Sequence, residues 1–427
     1  MTLLENLLVG TSSWSSSDWL GPFYPPYFKP GQYAGLAPGS VNIFEACRTR
    51  FDARRRLQSQ NRDPDSTLMQ ISGRIRLDGR FLSGVCFGES ERSHSDSCRR
   101  CFMAADGKAN DALHLATHSG WYRFEPRGED WVQVDRALTF WQMSCIQVDP
   151  DDPKRVYIGT ERSGMFVTGD GGKDWTRANP NVPCLTMSSI LALPGKLLVG
   201  TMPAALYATS ESSGWQEIKG VRQGAVGGTF PPNPDFAPRT RVLAVEKKPG
   251  GRLYAGIEVG GILVSDDDGQ KWTSANDGLT DPDIHQILPA KTKTGLVVAA
   301  CGEGVSRSTD RGAHWQKVTP PGNRTYGNAL AEDNDGNLYL GITRDRPRTW
   351  TRAGRANSAI FKSEDGANWQ LLTENMTGGV MDTCPAANGR GVLVATADGE
   401  VVAVTQSGET RPVISGLPCI TAMALGA

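Results

Sequence analysis

The sequence predicts an all-β fold: a seven-bladed β-propeller of four-stranded antiparallel blades over residues 105–427, preceded by a poorly structured N-terminal extension. Three observations carry this. Six Trp residues, Trp131, Trp175, Trp215, Trp272, Trp315 and Trp369, follow one another at intervals of 44, 40, 57, 43 and 54 positions, close to the ~40–45 residues of one blade. Short apolar runs separated by small turn residues precede each of them, as in RVYIGTERSGMFVT and RLYAGIEVGGILVS, and runs of this length suit a meandering antiparallel sheet. The 317 residues from Asp111 to Ala427 also divide into seven units of about 45.

In chain order the units are expected at 112–137, 140–180, 183–219, 238–279, 281–320, 325–374 and 378–414. TGDGGKDW sets Thr168, Asp170, Gly172 and Trp175 at offsets 0, 2, 4 and 7. SDDDGQKW repeats this with Ser265, Asp267, Gly269 and Trp272, and STDRGAHW with Ser308, Asp310, Gly312 and Trp315. SEDGANW, with Ser363, Asp365, Gly366 and Trp369, is one residue shorter, and the copies at Trp131 and Trp215 have decayed. The first unit, ALHLATHSGWYRF, opens with the character of a second strand, whereas PCITAMAL near the C-terminus reads as an innermost one. Residues 418–425 are therefore expected to close the ring by completing the first blade.

The SxDxGxxW pattern resembles the Asp-box, or bacterial neuraminidase repeat, of sialidases, sortilin-type receptors, some xyloglucan-cleaving glycosidases and photosystem II assembly-factor propellers. That resemblance implies architecture and no single reaction. Residues 196–320 also resemble bacterial Asp-box proteins grouped as exo-sialidase-like or glycosyl-hydrolase-like, through GTMPAALYAT, TFPPNPDF, LYAGIEVGGILVSDDDGQKW and DPDIHQILPA. This implies the same fold and a cytoplasmic setting. Asp170, Asp267, Asp310 and Asp365 are read as structural: the carboxylate accepts turn N–H groups, Gly supplies unusual dihedrals, and Trp175, Trp272, Trp315 and Trp369 pack between blades.

A ligand-facing surface is expected opposite the boxes, on the face of the second-to-third-strand loops. Glu161 and Glu258 stand seven residues before their box Thr or Ser, with Cys301 at the same place in the next unit and Glu303 just after it. His285, beside Asp283, begins an innermost strand, as do Arg239 and Arg241; together they are candidates for a polar cluster at the channel mouth. Cys301 is read as a buried small hydrophobe. The sixth unit carries an insertion on the same face with Arg344, Arg346, Arg348, Trp350, Arg352 and Arg355, whose guanidinium forks suit a phosphate, a carboxylate or an acidic partner. The insertion GAVGGTFPPNPDFAPR reads as packing or a rim contact.

Lys plus Arg number 45 and Asp plus Glu 46, so no global field draws the chain to nucleic acid or a membrane surface. No apolar run approaches the ~20 residues of a membrane span, and MTLLENLLVG lacks the basic start of a signal peptide. A cytoplasmic protein with reduced thiols is expected from nine Cys, an odd number. No cofactor and no metal are expected; Cys98 and Cys101 form one close pair near Cys86 and His94, short of a four-ligand site.

Residues 9–45, with VGTSSWSSSDWLGPFYPP, KPGQY and VNIFEA, resemble the opening of the TIM-barrel-like domain of unknown function 72. A whole barrel takes ~250 residues, so none can close here. Residues 46–104 hold 12 Arg, no Lys and four of the nine Cys, the composition of a disordered or misjoined linker.

Three functions follow from these readings. The first is a noncatalytic platform for a protein partner or a small anionic or carbohydrate ligand at the channel mouth. The second is a glycosidase, sialidase-like or xyloglucanase-like, with two carboxylates facing across the channel; Glu161 and Glu258 would be the pair, although the Arg-Ile-Pro signature of sialidases is absent. The third is an assembly factor that docks a client on the arginine loop.

Overall fold

Alternating β-branched and small residues in short runs, punctuated by Gly, leave sheet as the one structure that pairs every backbone group. The computed structural model describes residues 112–426 except 129, 179–181, 211–213, 222–236, 249, 345, 348–355, 375 and 377. The readings of residues 9–45 and 46–104, and of Arg348 and Trp350, lie outside the described residues.

The strands form seven four-stranded antiparallel sheets, which are the seven blades. Blades 2 to 7 run in sequence order, from the innermost strand outward, beginning with Met143–Val148, Met187–Leu193, Arg239–Val245, Ile284–Pro289, Tyr326–Glu332 and Val380–Pro385. Blade 1 is completed by the C-terminus: Ile420–Leu425 pairs with Leu113–Thr117, placing Met423 opposite Leu115. This is the expected closure, and it ties the two ends of the ring by backbone hydrogen bonds.

Each Asp box is the turn between third and fourth strands. In blade 4, Ser265 Oγ donates to Asp267 Oδ1 at 2.8 Å, the same oxygen accepts Lys271 N at 2.8 Å, and Gly269 N donates to Ser265 Oγ at 2.9 Å. The boxes at Asp170, Asp310 and Asp365 repeat the arrangement. Hydrogen bonds from the box residues hold all four carboxyls below the ordinary aspartate range, which suits structural acceptors and not proton donors. Gly172 is required twice over: its φ is +106°, and a Cβ there would lie 2.0 Å from Trp121.

The Trp of each box packs backward onto the preceding blade. Trp272 lies among Leu198, Leu206 and Val221, Trp315 among Tyr254 and Ile262, and Trp369 among Val298 and Val305. Trp175 meets Trp121 edge-on at 5.0 Å. The core is therefore a set of inter-blade layers, each repeat covering the face its neighbour cannot bury alone.

Candidate functional site at the channel mouth

The seven innermost strands share one irregularity. Each carries a β-bulge near its start, and the extra residues are Ser144, Ser188, Arg241, His285, Asn328, Met381 and Thr421. A bulge leaves one residue unpaired and re-aims its side chain, so the fold sets a ring of seven such positions at one end of the channel. Six are polar. Several stitch the ring together: Ser144 Oγ donates to Met187 O, Asn328 Nδ2 to Val380 O at 2.8 Å, and Ser189 Oγ, beside a bulge, to Thr240 O at 2.7 Å.

Charge concentrates in blades 4 to 6. Glu258 ends the second strand of blade 4 and is buried, 7% exposed. Its carboxylate accepts Arg239 Nε and, at 3.1 Å, Arg241 Nη1. Arg241 also reaches past blade 5 to Asn328 Oδ1 of blade 6 at 2.9 Å. Burial pushes the Glu258 carboxyl up, but Arg241 and Arg239 outweigh it and hold the group ionised. In blade 5, His285 is buried against Tyr326, ring centroids 4.5 Å apart, and its Nδ1 lies 2.6 Å from Gly327 O. Its Nε2 is 3.2 Å from Asp283 Oδ1, yet neither atom has a hydrogen bond of acceptable geometry. Asp283 is likewise held low, burial being outweighed by His285, Arg241 and Arg346.

The sequence-predicted residues thus divide. Arg239, Arg241, Glu258 and His285 converge, as expected. Glu161 follows the second strand of blade 2 and acts on Arg239 through its charge, but the carboxylate grouped closely with Glu258 is Asp283. Glu258 Oε2 and Oε1 accept Arg239 and Arg241 respectively, both guanidiniums of its own blade. Glu303 is exposed and lies 3.5 Å from Lys317, outside the cluster. Arg346 is exposed and joins Arg344, Tyr326, Glu303 and Lys317 around a cleft of about 300 Å³. Cys301 is buried, its thiol pushed up to about 12 by burial, in keeping with a packing role.

Two residues were missed. Asn328 anchors Arg241, and Asp382, in the innermost strand of blade 7, has its carboxyl raised to about 6 by burial. It accepts Met423 N of blade 1 at 2.8 Å. Asn328 shares the bulge column with Arg241 and His285, a signal that aligning the innermost strands on their bulges exposes, whereas Asp382 lies one residue past the bulge at Met381.

No family model matches the chain, and the resemblance of residues 9–45 to a barrel family gains no support. The xyloglucanase Xgh74A of Acetivibrio thermocellus is 27% identical over 296 residues, 61% of this chain and 28% of that protein; the chain thus spans under a third of this relative. An ancestral GH74 enzyme superposes with a TM-score of 0.51 at 16% identity, over 72% of this chain and 39% of its own. A GH74 xyloglucanase from Xanthomonas campestris gives 0.49 at 14% identity, covering 71% and 46%. YCF48 bound to D1 peptide gives 0.45 at 17% identity, covering 74% and 100%. The relationship to glycosyl-hydrolase propellers is one of fold and of distant sequence.

Proposed function

We propose that the propeller is a binding platform that takes a small anionic ligand at the channel mouth through Arg239, with Arg241 and Glu258 fixing the guanidinium in place. One observation carries this reading. Among the described residues, Arg239 bonds through Nε to Glu258 and its two terminal nitrogens have no partner, so a planar guanidinium edge is anchored on one side and unused on the other. Such an edge matches a carboxylate or phosphate. Arg344 and Arg346 line the neighbouring cleft with Tyr326 and add positive potential on the same face.

Glycoside cleavage is the second reading, favoured by the likeness to a xyloglucanase. It needs a carboxylic acid that keeps its proton near neutral pH. Glu258 and Asp283 are both held ionised, so this pair supports binding over proton donation, and a glycosidase would have to draw its acid from Asp382, raised to about 6.

The test uses the full chain with glucuronate and inorganic phosphate as probes, followed by titration calorimetry. Saturable binding that weakens at least ~10-fold in Arg239→Gln is expected for a bidentate charged contact. In parallel, xyloglucan and aryl glycosides are offered to wild type, Glu258→Gln and His285→Ala. Turnover lost in either variant would replace the platform by the glycosidase; absence of binding by both anions would overturn the anionic-ligand reading.

A further inference from the structure

We propose that His285, Asp283 and Glu258 form a site for one divalent transition-metal ion of the zinc class. One donor atom from each residue lies within 4.8 Å of the other two. A mixed imidazole and carboxylate set is the chemistry that Zn²⁺ accepts. Two ligand atoms at ~2.0–2.2 Å from a tetrahedral ion stand roughly 3.3 Å apart, and His285 Nε2 and Asp283 Oδ1 are 3.2 Å apart.

Gly327 O can only accept, so the His285 Nδ1 that lies 2.6 Å from it carries the hydrogen. The other ring nitrogen, Nε2, faces Asp283 Oδ1 at 3.2 Å. Both atoms are buried and neither has a hydrogen-bond partner; the His285 side chain is fully enclosed at 0% exposure. Two buried polar atoms this close with no hydrogen bond of acceptable geometry call for a cation between them. A metal ion satisfies both at once, and a ring N–H on a backbone carbonyl is the usual support of a metal-ligating His.

Glu258 is the third ligand. Each carboxylate oxygen has about two acceptor sites, so accepting Arg239 and Arg241 leaves capacity toward the ion. The two guanidiniums balance the two carboxylates in charge. Three protein ligands also leave a fourth tetrahedral position for an outside group. The inference shares residues with the anion-binding reading but does not need it, since metal binding is measured with no organic ligand present.

The experiment uses the full chain carrying Cys98→Ser and Cys101→Ser, so that this thiol pair does not compete, stripped with a chelator and dialysed. Titration with ZnCl₂ by calorimetry, and the visible spectrum of Co²⁺ added instead, should show one ion per chain. Asp283→Asn, which keeps the shape, and His285→Gln should each weaken binding more than ~10-fold, at least the loss caused by removing a supporting partner in metal sites. His314→Ala, on the exposed pair with Asp310 and Asp277, should leave the stoichiometry unchanged. No saturable binding, or equal affinity in Asp283→Asn and His285→Gln folded to the wild-type melting temperature, would overturn the site. Anion binding by the metal-stripped protein is read separately, so the two proposals can fail independently.

Discussion

Glu246→Gln tests how the blades are held together on the Asp-box face. Glu246 belongs to blade 4 and is 9% exposed. Its two oxygens accept Arg311 Nε and Nη2 of blade 5 at 2.8 and 2.9 Å, a forked pair across the blade boundary. Lys248 Nζ at 3.1 Å, Arg252 N at 3.2 Å and Tyr254 OH at 3.3 Å also donate to it. Burial raises this carboxyl, but Arg311 and Lys248 outweigh it and bring it down from 4.5 to about 2. That displacement corresponds to about 3 kcal/mol before screening. Because the Arg311 side chain is 33% exposed, solvent reduces it to roughly 1–2 kcal/mol, or a melting shift of roughly 2–4 °C at this size.

The sign follows from linkage. A depressed folded pKa stabilises fully above the unfolded value near 4.5, and the contribution is lost as pH falls toward about 2. Thermal melts of wild type and Glu246→Gln should therefore differ by this amount at pH 7 and converge between pH 4.5 and the lowest accessible pH. A constant difference across that range, or none at pH 7, would refute the electrostatic account of the junction.

The other predictions concern the ring, the boxes and the channel. Ending the chain before Pro418 removes the strand Ile420–Leu425 and uncovers Leu113 and Leu115, both fully buried; aggregation or a much lower melting temperature is expected, and an unchanged melt would misplace the closure. Trp272→Ala should cost about 3–5 kcal/mol by opening the layer between blades 3 and 4, with anion affinity unchanged by calorimetry; a variant that melts like wild type would contradict the packing. The Asp382 carboxyl should titrate near about 6 by carbon NMR. Its raised value favours the folded state below the unfolded 3.8, a contribution lost as pH rises through about 6. A midpoint at or below 4 would show that the group is solvated.

The architecture was legible because each blade repeats a local rule. Ser, Asp, Gly and Trp at fixed offsets specify a turn, a carboxylate cap and an inter-blade plug, all within eight residues, so the period emerges without knowledge of tertiary contacts. Even the closure could be read, since Ile420–Leu425 lacks neighbours of its own to pair with. The mouth was legible in part. Arg239, Arg241, Glu258 and His285 were found by position within a unit, which is again a local property. What escaped was partner choice. That Arg241 would pass over blade 5 to Asn328, or that Asp283 rather than Glu161 would group with Glu258, depends on the diameter of the ring and on bulges whose side-chain directions no single strand encodes. Asp382 was missed for the same reason: inside VMDTCP it reads as one more polar residue.

We place ligand chemistry at the bulge-lined mouth and not at the aspartate turns. A crystal soaked in bromide, with the anomalous signal mapped, tests this most directly. The account predicts an ordered bromide on the unpaired edge of Arg239. Bromide found solely elsewhere, with that edge empty or turned into a salt bridge, would contradict it.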